Sequence, residues 1–341
     1  MRRQPIVQGG GRRAAGDQAR QRVLAGLPVT ERRRRLAGVS TAVLEGGDGP
    51  DMVLLHGQGG WAAGWLPVIP DLVRTHHVVV PDLPGLGASE TPEGPPDPGT
   101  VLAWLGELIE QTCAAPPVLV GASLGGSIAA RFAAGHGERV SRLVLVDTGC
   151  LVGRVRPAPG VLLALVRHSL RPSRPTMVRF LRQVTVDLDR VRRRLGERWE
   201  PFLVYSLDRA RTPGVQQANR RLLRDLGWRQ IPPEELARID VPTALIWGRQ
   251  DRVMPVGTAQ RASARYGWPL HVIDDAGHFL VADQPEAFLG ALHAALGTAD
   301  HRPTADVQQR GTPGSPAAHP RPPRHPQTPD DATRPASGMS R

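Results

Sequence analysis

The 341-residue chain contains no lysine; its 43 basic residues are all arginine. Set against 32 acidic residues, they leave a formal net charge of +11. A charge of that size raises the question of nucleic acid, and its distribution argues against one. Residues 1–40 hold ten arginines against Asp17 and Glu31, and residues 150–229 hold eighteen against six acids, so the remainder is net acidic. Aromatic residues make up only 4 % of the chain, and none are interleaved with the arginines as stacking platforms. No specific nucleic-acid partner is expected. The run Arg32-Arg33-Arg34-Arg35 suits non-specific adhesion at most.

Cysteine is nearly absent. Cys113 and Cys150 are too few for a disulfide framework or a zinc site, and they fit a reducing cytoplasm. No run of about 18 apolar residues occurs, so neither a membrane span nor a membrane partner is expected. No apolar segment follows the basic stretch Met1 to Arg13, which argues against a secretory leader.

What is present is ordinary globular material between two biased ends. Residues 1–28 are rich in Arg and Gly, and residues 299–341 are rich in Pro and poor in apolar side chains. Both are expected to be disordered. Between them, short apolar runs alternate with helical patterns. Strands are predicted at 52–55, 78–80, 118–120, 143–146, 243–247 and 270–273, with helices near 65–74 and 100–113. Arg35 to Glu45 suits an antiparallel edge hairpin. Strands alternating with helices predict an α/β fold, a mostly parallel sheet with helices on both faces. Residues 150–231 break the alternation, with helical patterns near 159–170, 174–185, 188–195, 198–211 and 215–227. They read as an all-helical cap inserted between two halves of the core, 29–149 and 232–298.

The chemistry concentrates at strand ends, where open parallel sheets bind ligands. Val118-Leu119-Val120-Gly121-Ala122-Ser123-Leu124-Gly125 reads as strand, tight turn and helix start, with Ser123 at the apex. Residues without a Cβ two positions to either side relieve the crowding of such a turn. Ser123 is therefore the candidate nucleophile. His56-Gly57-Gln58-Gly59-Gly60 lets backbone approach a substrate closely, so the amides of Gln58 and Leu124 are candidates for an oxyanion hole. His56 is expected to brace that loop. Asp82 and Ser89, in the Pro/Gly turn at 81–89, read as structural. Asp251 follows one strand and Asp147 another; either can orient a histidine, and Asp251 is preferred. His278 follows the last strand and is the candidate base, since a neutral imidazole can take the serine proton and return it to a leaving group. The order Ser123, Asp251, His278 suits this geometry.

With these motifs together, residues 35–298 resemble the α/β-hydrolase superfamily. The resemblance implies an eight-stranded sheet, Ser123 as nucleophile, His278 as base, Asp251 as acid, Gln58 and Leu124 as the oxyanion hole, and no cofactor or metal. Serine at the elbow departs from the aspartate of haloalkane dehalogenases and epoxide hydrolases, and Gln58 interrupts the lipase-type His-Gly-Gly-Gly loop. The expected activity is hydrolysis of a small ester, thioester or lactone through an acyl-enzyme. One alternative is a carbon–carbon bond hydrolase of ring-cleavage dienoates, for which Arg179, Arg182 and Arg190 are possible carboxylate holders. Another is a non-catalytic ligand-binding protein on the same fold. Trp61, Trp65 and Trp199 belong either to the pocket or to the core. Neither the substrate-binding residues nor the oligomeric state can be read from the sequence.

Overall fold

The computed structural model describes residues 9–91, 97–153 and 155–297. The expectation of disorder at 299–341 lies outside those residues, as does its counterpart for residues 1–8.

Eight strands form one sheet: β1 (Thr30–Leu36), β2 (Val39–Gly46), β3 (Asp51–Leu55), β4 (His77–Pro81), β5 (Val118–Ala122), β6 (Arg142–Val146), β7 (Thr243–Gly248) and β8 (Leu270–Ile273). The order is β1-β2-β4-β3-β5-β6-β7-β8. The β1–β2 hairpin pairs antiparallel with itself and with β4, and every other pair is parallel. The edge strand β1 carries four consecutive arginines, which discourages pairing with another chain. Past their first residues the central strands are apolar because both faces are covered. Val53 and Leu55 of β3 point into one core cluster, Met52 and Leu54 into the other, with the period of two that a pleated strand imposes.

The helices outside the cap are α1 (Gly9–Leu24), α2 (Ile69–Leu72), α3 (Pro98–Thr112) and α4 (Leu124–Gly135) before it, and α10 (Pro233–Leu236), α11 (Gly257–Tyr266), α12 (Leu280–Asp283) and α13 (Pro285–Gly297) after it. Between β6 and β7 the cap supplies α5 (Pro159–Leu170), α6 (Arg174–Val184), α7 (Leu188–Leu195), α8 (Trp199–Arg211) and α9 (Pro213–Leu222). Residues of α3, α4 and α11 pack on one face of the sheet, those of α2 and α13 on the other. The cap has its own small core, built from Met177, Leu181, Val184, Leu188, Trp199, Leu203 and Leu207.

Two expectations are corrected. The continuous helix near 65–74 is instead a short 3-10 turn at Ala62–Trp65 followed by the four residues of α2. Pro67 and Pro70 each remove a backbone donor, which prevents a longer helix. The N-terminal segment is ordered from Gly9 onward in α1, which packs along α8. Its Ala19 and Val23 are buried with Trp61, Leu66 and Tyr205. Arg20 is buried too: its guanidinium pairs with Asp82 at 2.9 Å and Glu31 at 3.1 Å, donates to Tyr205 Oη, and lies over the Trp61 ring. The helix is held by this buried charge pair and by Arg198, which donates to the carbonyls of Val23 and Ala25 at its end.

Candidate active site

Strand β5 delivers Ser123 at the start of α4, with φ 52° and ψ −113°. A left-handed backbone at a non-glycine residue is strain of the kind that persists at functional sites. The turn closes only because its neighbours lack side chains. A Cβ on Gly121 would lie 2.5 Å from the Gly125 carbonyl oxygen, and one on Gly125 would lie 2.4 Å from that of Leu55. Ser123 N–H donates to Val146 O, tying the apex to β6.

The structure brings the three residues singled out by the sequence into one hydrogen-bonded line. His278 Nδ1 is 2.8 Å from Asp251 Oδ2, and its Nε2 is 3.1 Å from Ser123 Oγ. An ionised carboxylate can only accept, so Nδ1 carries the proton and Nε2 is free to accept from the serine hydroxyl. The other oxygen of Asp251 accepts the amides of Val253 and Met254 at 2.7 and 2.9 Å. These bonds fix the carboxylate's direction.

Asp147 does not contact His278 in this way. Its Oδ1 accepts from Gly248 N–H at 2.9 Å, and it sits buried behind Asp251. Burial, and then the neighbouring Asp251 carboxyl group, push its carboxyl well above the usual range. Asp147, Asp251 and His278 lie within 4.8 Å of one another, a spacing that could attract a cation. Asp251 and His278 are instead engaged in the line to Ser123, and Asp147 Oδ2 has no hydrogen-bond partner among the described residues.

The His-Gly loop lies against the serine. A Cβ on Gly57 would be 3.3 Å from Ser123 Cβ. His56 braces this loop as expected: Nδ1–H donates to Gly57 O at 2.8 Å, and Nε2 accepts from Leu83 N–H at 3.0 Å. Burial lowers its pKa, which keeps the ring neutral. Gln58 N–H makes no hydrogen bond among the described residues, and Leu124, as the first residue of α4, has no intrahelical acceptor. Two amides are thus left unspent beside Ser123. Asp82 and Ser89 are structural, as expected. Asp82 accepts the amides of Ala62 and Ala88, and Ser89 Oγ donates to Asp82 O.

Above Ser123 and His278 lies a cavity of about 290 Å³, roofed by the cap. Leu165, Met177, Phe180, Leu181, Leu188 and Val191 line it from the cap side, and Val253, Met254 and Phe279 from the core. Trp61, Trp65 and Trp199 line it and are also buried, so they serve pocket and core together. Arg179, Arg182 and Arg190 do not line it; the cationic side chains that do are Arg209 and Arg220.

Two residues beside the site carry no signal in the sequence. Asn219 Oδ1 accepts from Gly59 N–H at 2.9 Å and joins the cap to the glycine loop. Asp283 accepts from Gly277 and Val186 amides and so holds the His278 loop against the cap. Neither stands in a motif; their role comes from the docking of α9 and α12, which local periodicity does not encode.

Comparisons with known proteins agree with this fold. The family model described as alpha/beta hydrolase fold matches residues 50–285. A pimeloyl-[acyl-carrier protein] methyl ester esterase of Aeromonas hydrophila is 29% identical over 76% of this chain and 100% of its own. A 2-hydroxy-6-oxo-6-(2'-aminophenyl)hexa-2,4-dienoic acid hydrolase of Metapseudomonas resinovorans is 28% identical over 76% of this chain and 89% of its own. Among solved structures, a bacterial membrane phospholipase A superposes with a TM-score of 0.68 at 28% identity, covering 85% of this chain and 93% of the other. The eight-stranded sheet, the helical insertion and the matched residues together place the chain in the alpha/beta hydrolase fold family, as a hydrolase.

Proposed function

We propose that the protein is a serine hydrolase that cleaves esters of apolar acids through an acyl-enzyme. The observation that carries this reading is the line Asp251–His278–Ser123 ending beneath a mostly apolar cavity. Ser123 Oγ attacks the ester carbonyl while His278 Nε2 takes its proton. The Asp251 carboxylate stabilises the imidazolium and keeps its tautomer. Charge develops on the carbonyl oxygen, where the amides of Gln58 and Leu124 receive it; losing one such donor typically costs about 10²–10³ in rate. His278 then protonates the departing alcohol, and a water attacks the acyl-enzyme by the reverse route. The named esterase and phospholipase relatives support ester chemistry.

Ser123→Ala is expected to lower turnover of p-nitrophenyl esters by about 10⁶ and to abolish labelling by a fluorophosphonate probe. Full turnover in that variant would overturn the reading. Labelling of the native chain also separates an enzyme from a non-catalytic binder.

A second reading, carbon–carbon bond hydrolysis of a dienoate, draws on Arg209 and Arg220 in the cavity lining and on the dienoic acid hydrolase relative. It predicts turnover of vinylogous 1,5-diketones and little of simple esters.

A further inference from the structure

Helices α5 and α6 differ from the rest of the cap in two independent ways. The first is charge. No acidic residue occurs between Asp147 and Asp187, while the same stretch holds seven arginines. Arg174 pairs with Glu200 of α8. Arg167, Arg171, Arg179 and Arg182 are exposed and form no ion pair among the described residues.

The second is the outward face of α5. Leu162 and Leu163 are each 52% exposed, Val166 44% and Leu170 76%. Their spacing puts them on one side of the helix, and a contiguous apolar stripe of this kind on a soluble surface marks a binding face. The inward side of the same helix lines the cavity through Leu165, and Leu162 belongs to both surfaces. The stripe therefore adjoins the cavity lining.

We propose that α5 and α6 form a docking face for an anionic lipid bilayer, lying in the headgroup layer beside the cavity. The stripe supplies the apolar contact, and the unpaired arginines supply attraction to lipid phosphates. Two other occupants fit less well. A second copy meeting this face about a twofold axis would set arginine against arginine. A highly charged acidic partner would answer the arginines and leave the four apolar side chains without a complement. No described helix is long and apolar enough to cross a membrane. The lack of a long apolar run, which gave the expectation of no membrane partner, bears on spanning and not on surface contact.

Co-flotation of the full chain tests this, comparing phosphatidylcholine vesicles with vesicles that also contain phosphatidylglycerol. Binding is expected only to the anionic vesicles, weakening at high salt. Each arginine removed is expected to weaken binding about fivefold, so R167Q/R171Q/R179Q/R182Q should no longer float. L163S/V166S/L170S should also fail to float. None of these seven residues lines the cavity, so both variants should keep wild-type turnover of a soluble short-chain ester and wild-type fluorophosphonate labelling. Loss of labelling in the native chain would overturn the catalytic reading without touching this one. Absence of flotation with anionic vesicles, or flotation unchanged in the arginine variant, overturns the proposal. So does a dimer in light scattering that the serine variant dissolves, since the face would then be a self-contact.

Discussion

Asp147 and Asp251 show how two identical side chains meet different surroundings within one site. Asp251 accepts from His278 and from two backbone amides. Asp147 accepts one amide and is buried against Asp251, which pushes its carboxyl well above the usual range. A buried acid with a raised pKa stabilises the fold below its unfolded value of about 3.9 and loses that contribution as pH rises through the folded value. An asparagine at this position would not titrate. Asp147→Asn is therefore expected to melt above the wild type at pH 8 and to lose that advantage below about pH 4. A melting difference that does not change with pH would refute this assignment.

At the scale of elements, α1 is the part least legible in the sequence. Ala19, Val23 and, in part, Leu24 give it a narrow apolar side, and its anchoring residue is an arginine, the type most often found in solvent. The partner, Asp82, is 62 residues away in sequence, at the end of β4, so no local pattern announces the pair. Removing one member of a buried ion pair leaves an uncompensated charge and costs about 3–5 kcal/mol. Arg20→Ala should lower stability by that order in urea unfolding, and adding Asp82→Asn should restore part of it. Additive losses in the double variant would show that the pair carries no coupling. Other elements were easier to read. The parallel strands are short apolar runs closed by glycine, proline or aspartate, and the cap helices are punctuated by proline and glycine, so their limits fall within a few residues of expectation. Ser123, Asp251 and His278 were legible because each follows a strand end in chain order. The cavity lining was not, since the helical pattern does not say which face of α5, α8 or α9 turns toward the core.

For the whole molecule, the apolar cavity sets a preference for chain length. Each methylene buried contributes about 0.8 kcal/mol, equivalent to about fourfold in kcat/KM. Efficiency should therefore climb from acetyl to butyryl to hexanoyl p-nitrophenyl esters until the cavity is filled. A fall from acetyl to butyryl would argue for a smaller or more polar pocket than the one described. The dienoate comparison belongs at this scale too, because Arg209 and Arg220 enter the cavity only through the docking of the cap on the core.

The buried pairing of Arg20 with Asp82 also bears on how the chain can be shortened. The family match begins at residue 50, and a truncation there would keep Ser123, Asp251 and His278. It would also strip Asp82 of its counter-charge and uncover Trp61, which directly follows the glycine loop. The smallest autonomous hydrolase in this sequence therefore extends upstream of its most recognisable part, to include α1.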